Sequence, residues 1–266
     1  MKIARLSSVD LHWREDGDPN GYPIVFANSL GTDLRLWEKI IPLLPQEGFR
    51  FIRFDKRGHG LSSCPKPPYT MEALVTDTEE FLDQINVGAC IFIGLSIGGF
   101  IGQSLASRRP EAIKALVLSN TAAKLGTAEM WQDRIDRIRE GGIEAMADAI
   151  LQRWFGEDFR QSADATLWRN MMTRTPADGY IGCSTAIAAT DLTASTAQLK
   201  LPVLGIGGEL DMASSPELVR GTTELIAGSR YVEIRNAGHL PCVEYPEIYA
   251  GHLTTFLKET SHVRTL

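Results

Sequence analysis

The chain has 266 residues, of which 44% are hydrophobic and 23% are charged, and its net charge is −6. This composition is typical of an ordinary globular protein and excludes disordered, collagen-like and disulfide-dense chains. A weakly acidic chain without a basic cluster argues against nucleic-acid binding and against attraction to an anionic membrane. The length suits a single α/β unit whose core needs no metal ion or disulfide to hold it together.

The cysteines and the N-terminal segment predict a cytoplasmic protein. The N-terminal residues lack the apolar stretch of a signal peptide, and no apolar run is long enough to span a membrane. No cysteine belongs to a C-x-x-C pair, so neither a zinc site nor a redox site is predicted. We interpret all of them as reduced thiols of a cytoplasmic protein. The cysteines are Cys64, Cys90, Cys183 and Cys242.

Short apolar runs alternate with helical patterns along the first half of the chain. In chain order they predict one or two edge strands at 4–15, strands at 24–27 and 49–54, a helix at 71–85, a strand at 89–94, a helix at 98–109 and a strand at 113–118. Continuous apolar runs of this length indicate buried parallel strands that are connected through helices. The predicted class is therefore α/β, with helices on both faces of a parallel sheet.

The pattern changes between residues 122 and 190, where strand patterns stop and tryptophans stand among charged residues. Helices are predicted there at 130–139 and 142–155. Strands return at 202–206 and 230–234, with helices at 216–226 and 246–257. We predict a first core segment at 1–121, a helical cap at 122–190 and a second core segment at 191–266. Such a cap would cover the carboxyl ends of the strands, where open α/β sheets bind ligands.

The most specific motif is Gly94-Leu95-Ser96-Ile97-Gly98-Gly99, between a predicted strand and a predicted helix. So tight a turn has no space for large flanking side chains. Glycines therefore surround a serine with a strained backbone and an Oγ that projects from the sheet. The N-terminus of the helix supplies N–H groups for a negative charge. The motif predicts Ser96 as a nucleophile, and the alternative is a glycine-rich turn with a structural role only.

A serine nucleophile needs a general base. His239 follows the last predicted strand and lies at the same carboxyl edge of the sheet as Ser96, so it is predicted to be the base. His59 lies at that edge too, within Arg57-Gly58-His59-Gly60, but we expect it to have a loop-packing role. His12 is interpreted as a surface residue in an edge strand.

The base in turn needs an acid that orients it. Asp211 follows the predicted strand at 202–206, which places it at the same edge of the sheet. Glu209 is the rival acid, two residues earlier. We predict Asp211, and the catalytic residues then occur in the chain order Ser96, Asp211, His239.

Two backbone N–H groups are predicted to stabilise an oxyanion. One belongs to Ile97, directly after the nucleophile. The other comes from the loop Asn28-Ser29-Leu30-Gly31, which follows the strand at 24–27, and Leu30 is its best-placed donor. Each such donor is typically worth about 100- to 1000-fold in rate. The alternative for this loop is an ordinary turn.

Taken together, these motifs resemble the α/β-hydrolase superfamily over nearly the whole chain. The resemblance implies an eight-stranded, mostly parallel sheet with an inserted helical cap. The sequence shows no Walker loop, no G-x-G-x-x-G after the first strand and no cluster of metal ligands, so neither a cofactor nor a metal ion is predicted. Most members carry His-Gly in the oxyanion loop, where this chain carries Asn28-Ser29. The matching segments are the loop at 28–31, Asp55-Lys56-Arg57-Gly58-His59-Gly60, the Ser96 turn, Asp211, and Ala237-Gly238-His239.

The Asn28-Ser29 variant, followed by Gly31-Thr32-Asp33-Leu34 and Trp37, is similar to the 3-oxoadipate enol-lactonases. The segments at 130–135 and 153–155 are similar to that family as well. The resemblance implies a serine hydrolase that opens the enol-lactone of 3-oxoadipate through an acyl-enzyme, in the bacterial degradation of aromatic compounds by way of protocatechuate or catechol. It would act on a small acidic substrate as a monomer or a homo-oligomer.

Other activities remain open on the same fold. They are those of a carboxylesterase, a carbon–carbon bond hydrolase and a cofactor-free perhydrolase. A ligand receptor without catalysis is the alternative outside enzymes, and a complete set of catalytic residues argues against it.

A lactone that carries a carboxylate needs a cation in its site. On a helix at about 100° per residue, Trp131, Ile135 and Ile138 form an apolar stripe with Arg134 at its edge. Arg139 lies on the other flank and stays a second candidate. An arginine beside an aromatic ring suits a planar carboxylate. The predicted substrate-binding residues are Arg134, Trp131, Trp154 and Ser29.

Overall fold

The computed structural model describes residues 1–261 of the chain. Its strands are β1 (Lys2–Arg5), β2 (Asp10–Gly17), β3 (Tyr22–Ala27), β4 (Phe49–Phe54), β5 (Cys90–Leu95), β6 (Ile113–Ser119), β7 (Val203–Gly208) and β8 (Arg230–Ile234). Its α-helices are α1 (Met71–Gln84), α2 (Ile97–Arg108), α3 (Ala128–Gly141), α4 (Ala147–Trp154), α5 (Glu157–Arg160), α6 (Asp164–Thr173), α7 (Ala177–Ala188), α8 (Thr193–Thr196), α9 (Pro216–Glu224), α10 (Pro241–Glu244) and α11 (Pro246–Ser261). Across this described part, no helix has both the length and the apolar character that a bilayer crossing requires.

The strands form one sheet in the order β1-β2-β4-β3-β5-β6-β7-β8. β2 pairs antiparallel with both β1 and β4, and all other neighbours pair parallel. The predicted α/β class and the mostly parallel, eight-stranded sheet are confirmed. The prediction of edge strands at 4–15 holds for β1 alone, because β2 lies between two other strands.

The central strands are apolar along their whole length because helices cover them. Every residue of β5 and β7 is buried, as is nearly all of β6. Helix α2 packs against β5 and β6, and α9 packs against β7 and β8. A strand that is covered on both faces has no solvent side, and so it carries no alternation of apolar and polar residues.

Helices α3 to α8 lie between β6 and β7 in the chain, so a helical insertion interrupts the sheet as predicted. The single helix predicted at 142–155 is wrong in detail. Gly142 has a φ of +70°, a 3₁₀ turn follows over Ile143–Met146, and α4 begins only at Ala147. The exact cap boundaries at 122 and 190 stay a prediction.

The order of the strands sets the place of the site. From β3 the chain moves to β4 on one side and then returns across β3 to β5 on the other side. Connections that leave neighbouring strands in opposite directions open a crevice at the carboxyl ends of those strands. Ala27 at the end of β3 pairs with Gly94 in β5. The loop at 28–32 and Ser96 therefore emerge side by side at this crevice.

Candidate active site

Ser96 occupies the turn between β5 and α2, with a φ of +57° and a ψ of −120°. This backbone conformation is costly for any residue except glycine. Its glycine neighbours make it possible, since a methyl group on Gly94 would collide with the carbonyl of Gly98, and one on Gly98 with the carbonyl of Ala27. The carbonyl of Ser96 accepts a hydrogen bond from Thr121 Oγ1 at 2.7 Å, which helps to hold the turn. The strained strand–turn–helix geometry that the motif predicts is thus present.

Asp211 and His239 form a buried hydrogen-bonded pair, with 2.8 Å between Asp211 Oδ2 and His239 Nδ1. Asp211 Oδ1 accepts the backbone N–H groups of Ala213 and Ser214 at 2.7 and 3.0 Å. Burial raises the pKa of the Asp211 carboxyl, but His239 and the hydrogen-bond donors outweigh it, so the pKa lies below its ordinary value. The carboxylate is therefore ionised and fixes the imidazole through Nδ1, which leaves Nε2 available as a base.

Two side chains that sequence analysis missed also orient Asp211. Asn120 Nδ2 donates to Asp211 Oδ2 at 2.9 Å, and Ser214 Oγ donates to the same oxygen at 2.7 Å. Asn120 directly follows β6, which neighbours β7 in the sheet. Its position as a polar residue at the end of that strand could have indicated a contact with Asp211. Glu209, the rival acid, instead accepts the backbone N–H of Asn236 at 2.8 Å. Asp211 is thus the carboxylate that contacts the histidine.

Two serines line the cavity that His239 also lines, whereas Ser214 Oγ lies on the Asp211 side of the ring, 3.3 Å from His239 Nδ1. Ser29 Oγ is 3.5 Å from His239 Nε2, at the outer limit of a hydrogen bond. Ser96 Oγ has no hydrogen-bond partner among the residues that the structure describes, and Ser96 lines the same cavity as Ser29 and His239. A serine–histidine–aspartate arrangement is therefore present, and two hydroxyl groups compete for the role of nucleophile.

The cavity beside these side chains has a volume of about 240 Å³. Leu30, the predicted oxyanion donor, lines it, and Ile97 is the first residue of α2, directly after Ser96. The roles of Leu30 and Ile97 as donors stay predictions. All the predicted substrate-binding residues line the same cavity, namely Ser29, Trp131, Arg134 and Trp154.

Two guanidinium groups face this cavity, and neither has a carboxylate partner within residues 1–261. The Cζ atom of Arg134 lies 4.7 Å from the centre of the Trp131 ring. Arg153 of α4 was missed by sequence analysis, although it stands next to a predicted pocket residue. Burial lowers the pKa of Arg153, and repulsion from the positive charge of Arg134 lowers it further. Arg139, the second candidate, instead pairs with Asp136 at the surface.

No aspartate or glutamate is among the residues that line the cavity in the described part of the chain. Two arginines without acidic partners therefore make the cavity electropositive. Such a site favours an anionic ligand, and a guanidinium matches the two oxygens of a carboxylate.

The loop of His239 is fastened to the inserted helices through the backbone. The N–H of His239 donates to the carbonyl oxygen of Trp154 at 2.7 Å. Glu244 adds a bridge, since its carboxylate accepts the N–H of Gly156 at 2.8 Å and the N–H of Gly238 at 2.7 Å. The end of α4 and the histidine loop consequently form one hydrogen-bonded unit.

His59 has a loop-packing role, as predicted, and it joins its own loop to the loop that follows β3. It is fully buried, and its Nε2 accepts the backbone N–H of Gly31 at 3.0 Å. Burial lowers the pKa of His59 well below its ordinary value, with Lys56 contributing in the same direction. A neutral imidazole at this position supports the loop that contains Leu30. The prediction of a surface position for His12 is wrong, because its buried ring pairs with Asp55 at 2.8 Å.

A family model described as alpha/beta hydrolase fold matches residues 22–246. The chain belongs to the α/β-hydrolase family and is a hydrolase of that fold, which confirms the resemblance drawn from its motifs. It is 33% identical to 3-oxoadipate enol-lactonase 2 of Acinetobacter baylyi over 252 residues, 94% of each chain.

Two solved structures are similar to this one over nearly their whole length. The enol-lactonase from Burkholderia xenovorans LB400 superimposes with a TM-score of 0.92 at 37% identity, covering 97% of this chain and 100% of that one. A thermophilic esterase from Thermogutta terrifontis, with malate bound, gives a TM-score of 0.91 at 25% identity, covering 98% and 99%.

Proposed function

We propose that this chain is a serine hydrolase that opens the ring of 3-oxoadipate enol-lactone to give 3-oxoadipate. The observation that carries the proposal is the pair of arginines, Arg134 and Arg153, that have no carboxylate partner in the described part of the chain and line the same cavity as Ser96 and His239. A small site with both acyl-transfer groups and cations suits a small ester or lactone that bears a carboxylate. Similarity to enol-lactonases from two organisms supports the choice of substrate.

In the proposed reaction Ser96 Oγ attacks the lactone carbonyl carbon while His239 Nε2 takes the hydroxyl proton. The tetrahedral oxyanion accepts hydrogen bonds from the N–H groups of Leu30 and Ile97. Collapse of this intermediate breaks the ring C–O bond and expels an enolate oxygen, which is less basic than an alkoxide. His239 returns the proton to this oxygen, which gives the enol and restores a neutral imidazole. The enol then tautomerises to the ketone. A water that His239 deprotonates hydrolyses the acyl-enzyme, which frees the new carboxylate and restores Ser96.

We assign attack to Ser96 although Ser29 has the contact with His239. Ser96 stands at the N-terminus of α2, next to the N–H of Ile97 and in a backbone conformation kept at some cost. Ser29 instead precedes Leu30 in the loop that supplies the second donor, and there its hydroxyl would contact bound substrate. Hydrogen bonds between catalytic groups are often long before substrate binds, so the absence of a Ser96–His239 bond does not count against Ser96.

The rest of the cavity fits the same substrate. The rings of Trp131 and Trp154 supply apolar walls for a flat lactone ring, and the two arginines would hold its carboxylate. The cysteines of the chain are free thiols, which fits a reducing compartment. We therefore place the enzyme in the cytoplasm, in the degradation of aromatic compounds.

Comparing kcat/KM on 3-oxoadipate enol-lactone and on p-nitrophenyl acetate tests this proposal. We expect the lactone to be preferred by at least about 100-fold, because the neutral acetate offers no carboxylate to the two arginines. Preference for the acetate would contradict the lactonase proposal and favour an esterase, the activity named for the Thermogutta terrifontis relative. Turnover of neither substrate, with no labelling of Ser96 by a fluorophosphonate, would indicate a ligand receptor.

Replacing Arg134 by alanine is expected to raise KM for the lactone about 10- to 100-fold, since a hydrogen bond to a charged group is lost. Arg153→Ala should have a similar effect, and neither change should alter kcat/KM on neutral p-nitrophenyl acetate. Arg137→Ala is the matched control, because Arg137 lies on the same helix as Arg134 but pairs with Asp133 at the surface. An unchanged KM in both cavity variants would show that the two arginines do not bind the carboxylate of the substrate.

A further inference from the structure

Lys56 is a buried lysine that has no ion-pair partner in the described part of the chain. It follows β4, and only 4% of its surface is exposed. Its Nζ donates a hydrogen bond to the carbonyl oxygen of Ser29 at 2.6 Å. The carbonyl oxygens of Asn28 and Thr32 lie farther away, at 3.4 and 3.5 Å. The ammonium is thus held by the loop that follows β3, chiefly through one carbonyl group.

That carbonyl group belongs to the peptide unit whose N–H is the predicted oxyanion donor. The C=O of Ser29 and the N–H of Leu30 share one plane, and in a trans peptide they point in opposite directions. Among the described residues the one cis bond is Pro67-Pro68, so this peptide is trans. Lys56 therefore binds one end of the peptide dipole, and the other end belongs to Leu30, which lines the cavity with Ser96.

The loop has enough other hydrogen bonds to hold its shape. Asn28 Nδ2 donates to the carbonyl of Thr32 at 2.9 Å, and Thr32 Oγ1 donates to the carbonyl of Ser29 at 3.0 Å. The N–H of Gly31 donates to His59 at 3.0 Å. Removing an ammonium from water is costly, and an apolar side chain of similar length avoids that cost. The buried charge at the Ser29 carbonyl therefore indicates that Lys56 has a role beyond stabilising the shape of the loop.

We propose that Lys56 is a positioning residue of the hydrolytic site, whose ammonium fixes and polarises the Ser29–Leu30 peptide so that the Leu30 N–H binds the oxyanion more strongly. Hydrogen bonds in a chain polarise one another, and a cation at the carbonyl end strengthens the N–H end as a donor. The inference rests on the proposed function, because it needs an oxyanion at Leu30.

Burial and the neighbouring titratable groups set the pKa of Lys56 and so the pH range of its effect. Burial lowers the pKa of Lys56 to about 8, and Cys183 of α7, Asp55 beside it and Asp33 of the loop after β3 oppose this shift. His59, which also faces Lys56, has a pKa well below its ordinary value through burial and stays neutral. The ammonium is the active form. Its contribution to kcat is therefore present below about pH 8 and is lost as the pH rises through that value.

Lys56→Met removes the charge and nearly keeps the length of the side chain. On the faster of the two test substrates we expect kcat to fall about 10- to 100-fold with little change in KM, because Lys56 acts on the oxyanion and not on bound substrate. The alkaline loss of kcat near about pH 8 in the original protein should be absent from this variant. Lys66→Met, at an exposed position, is the matched control and should keep both kcat and the alkaline loss.

A second measurement needs neither a variant nor a substrate. The amide resonance of Leu30, followed by NMR in the unmodified protein, should shift with a midpoint near about pH 8 as Lys56 loses its proton. A resonance that stays constant through this range overturns the proposal, and so does full kcat in a folded Lys56→Met variant. If the unmodified protein hydrolyses neither substrate, the proposed function fails and this inference fails with it. Normal hydrolysis with an unaffected Lys56→Met variant contradicts the role of Lys56 alone.

Discussion

Ser96→Ala is expected to lower kcat on the lactone about 10⁶-fold, the loss typical of a deleted serine nucleophile. The physical reason is that no other group at the N-terminus of α2 can form the acyl bond. The variant should fold normally, since alanine has no added bulk in the turn. Single-turnover kinetics with purified protein measures the loss, and intact-mass analysis after fluorophosphonate treatment should show an adduct on Ser96 that the variant lacks.

Ser29→Ala is the necessary comparison, because Ser29 Oγ is the hydroxyl at 3.5 Å from His239 Nε2. We expect it to lower kcat/KM by only about tenfold, the effect of losing one hydrogen bond to substrate. The reverse result, with a severe loss of kcat/KM in Ser29→Ala and a mild one in Ser96→Ala, would identify Ser29 as the nucleophile. Attack by Ser29 would then require oxyanion donors other than the N–H groups of Leu30 and Ile97.

Asp211→Asn is expected to lower kcat about 10⁴-fold. The carboxylate accepts a hydrogen bond from His239 Nδ1–H. An amide N–H at that place instead donates to Nδ1, which favours the tautomer with the proton on Nε2, the nitrogen that should act as base. The substitution keeps the size of the side chain, and measurement of kcat together with the melting temperature separates lost catalysis from lost folding.

Glu209→Gln provides the matched control for Asp211→Asn. Glu209 lies two residues away on the same loop, and its carboxylate accepts the backbone N–H of Asn236 rather than a catalytic group. Its kcat should remain close to that of the unmodified protein. Comparable losses in the two variants would show that the loop, and not the Asp211 carboxylate, is what the reaction requires.

The proposed catalytic residues could be predicted from sequence because of where they stand. Ser96, Asp211 and His239 each follow a strand of the parallel part of the sheet, and such strands all end at one edge. Their common position at this edge therefore depends on strand order and residue type alone. The sequence placed Asp211 and Glu209 at the same edge, and the hydrogen bond from His239 shows that Asp211 is the one in contact with the histidine.

Residues whose role depends on packing between distant segments could not be found in this way. Lys56 binds a carbonyl 27 residues earlier, and Asn120 binds Asp211 across 91 residues. No local pattern distinguishes a buried lysine from an exposed one. His12 was misplaced for the same reason, because its burial follows from the interior position of β2 in the sheet.

The hydrogen bond from His239 N–H to the carbonyl of Trp154 affects how the substrate specificity of such an enzyme can evolve. The bond joins main chain to main chain, so it is indifferent to the side chain at position 154. Point substitutions in this wall of the pocket can alter its chemistry while the histidine loop stays in place. Insertions or deletions near the end of α4 displace the carbonyl itself. In laboratory evolution of this cap we therefore expect side-chain exchanges to be tolerated there and changes of length to be rejected.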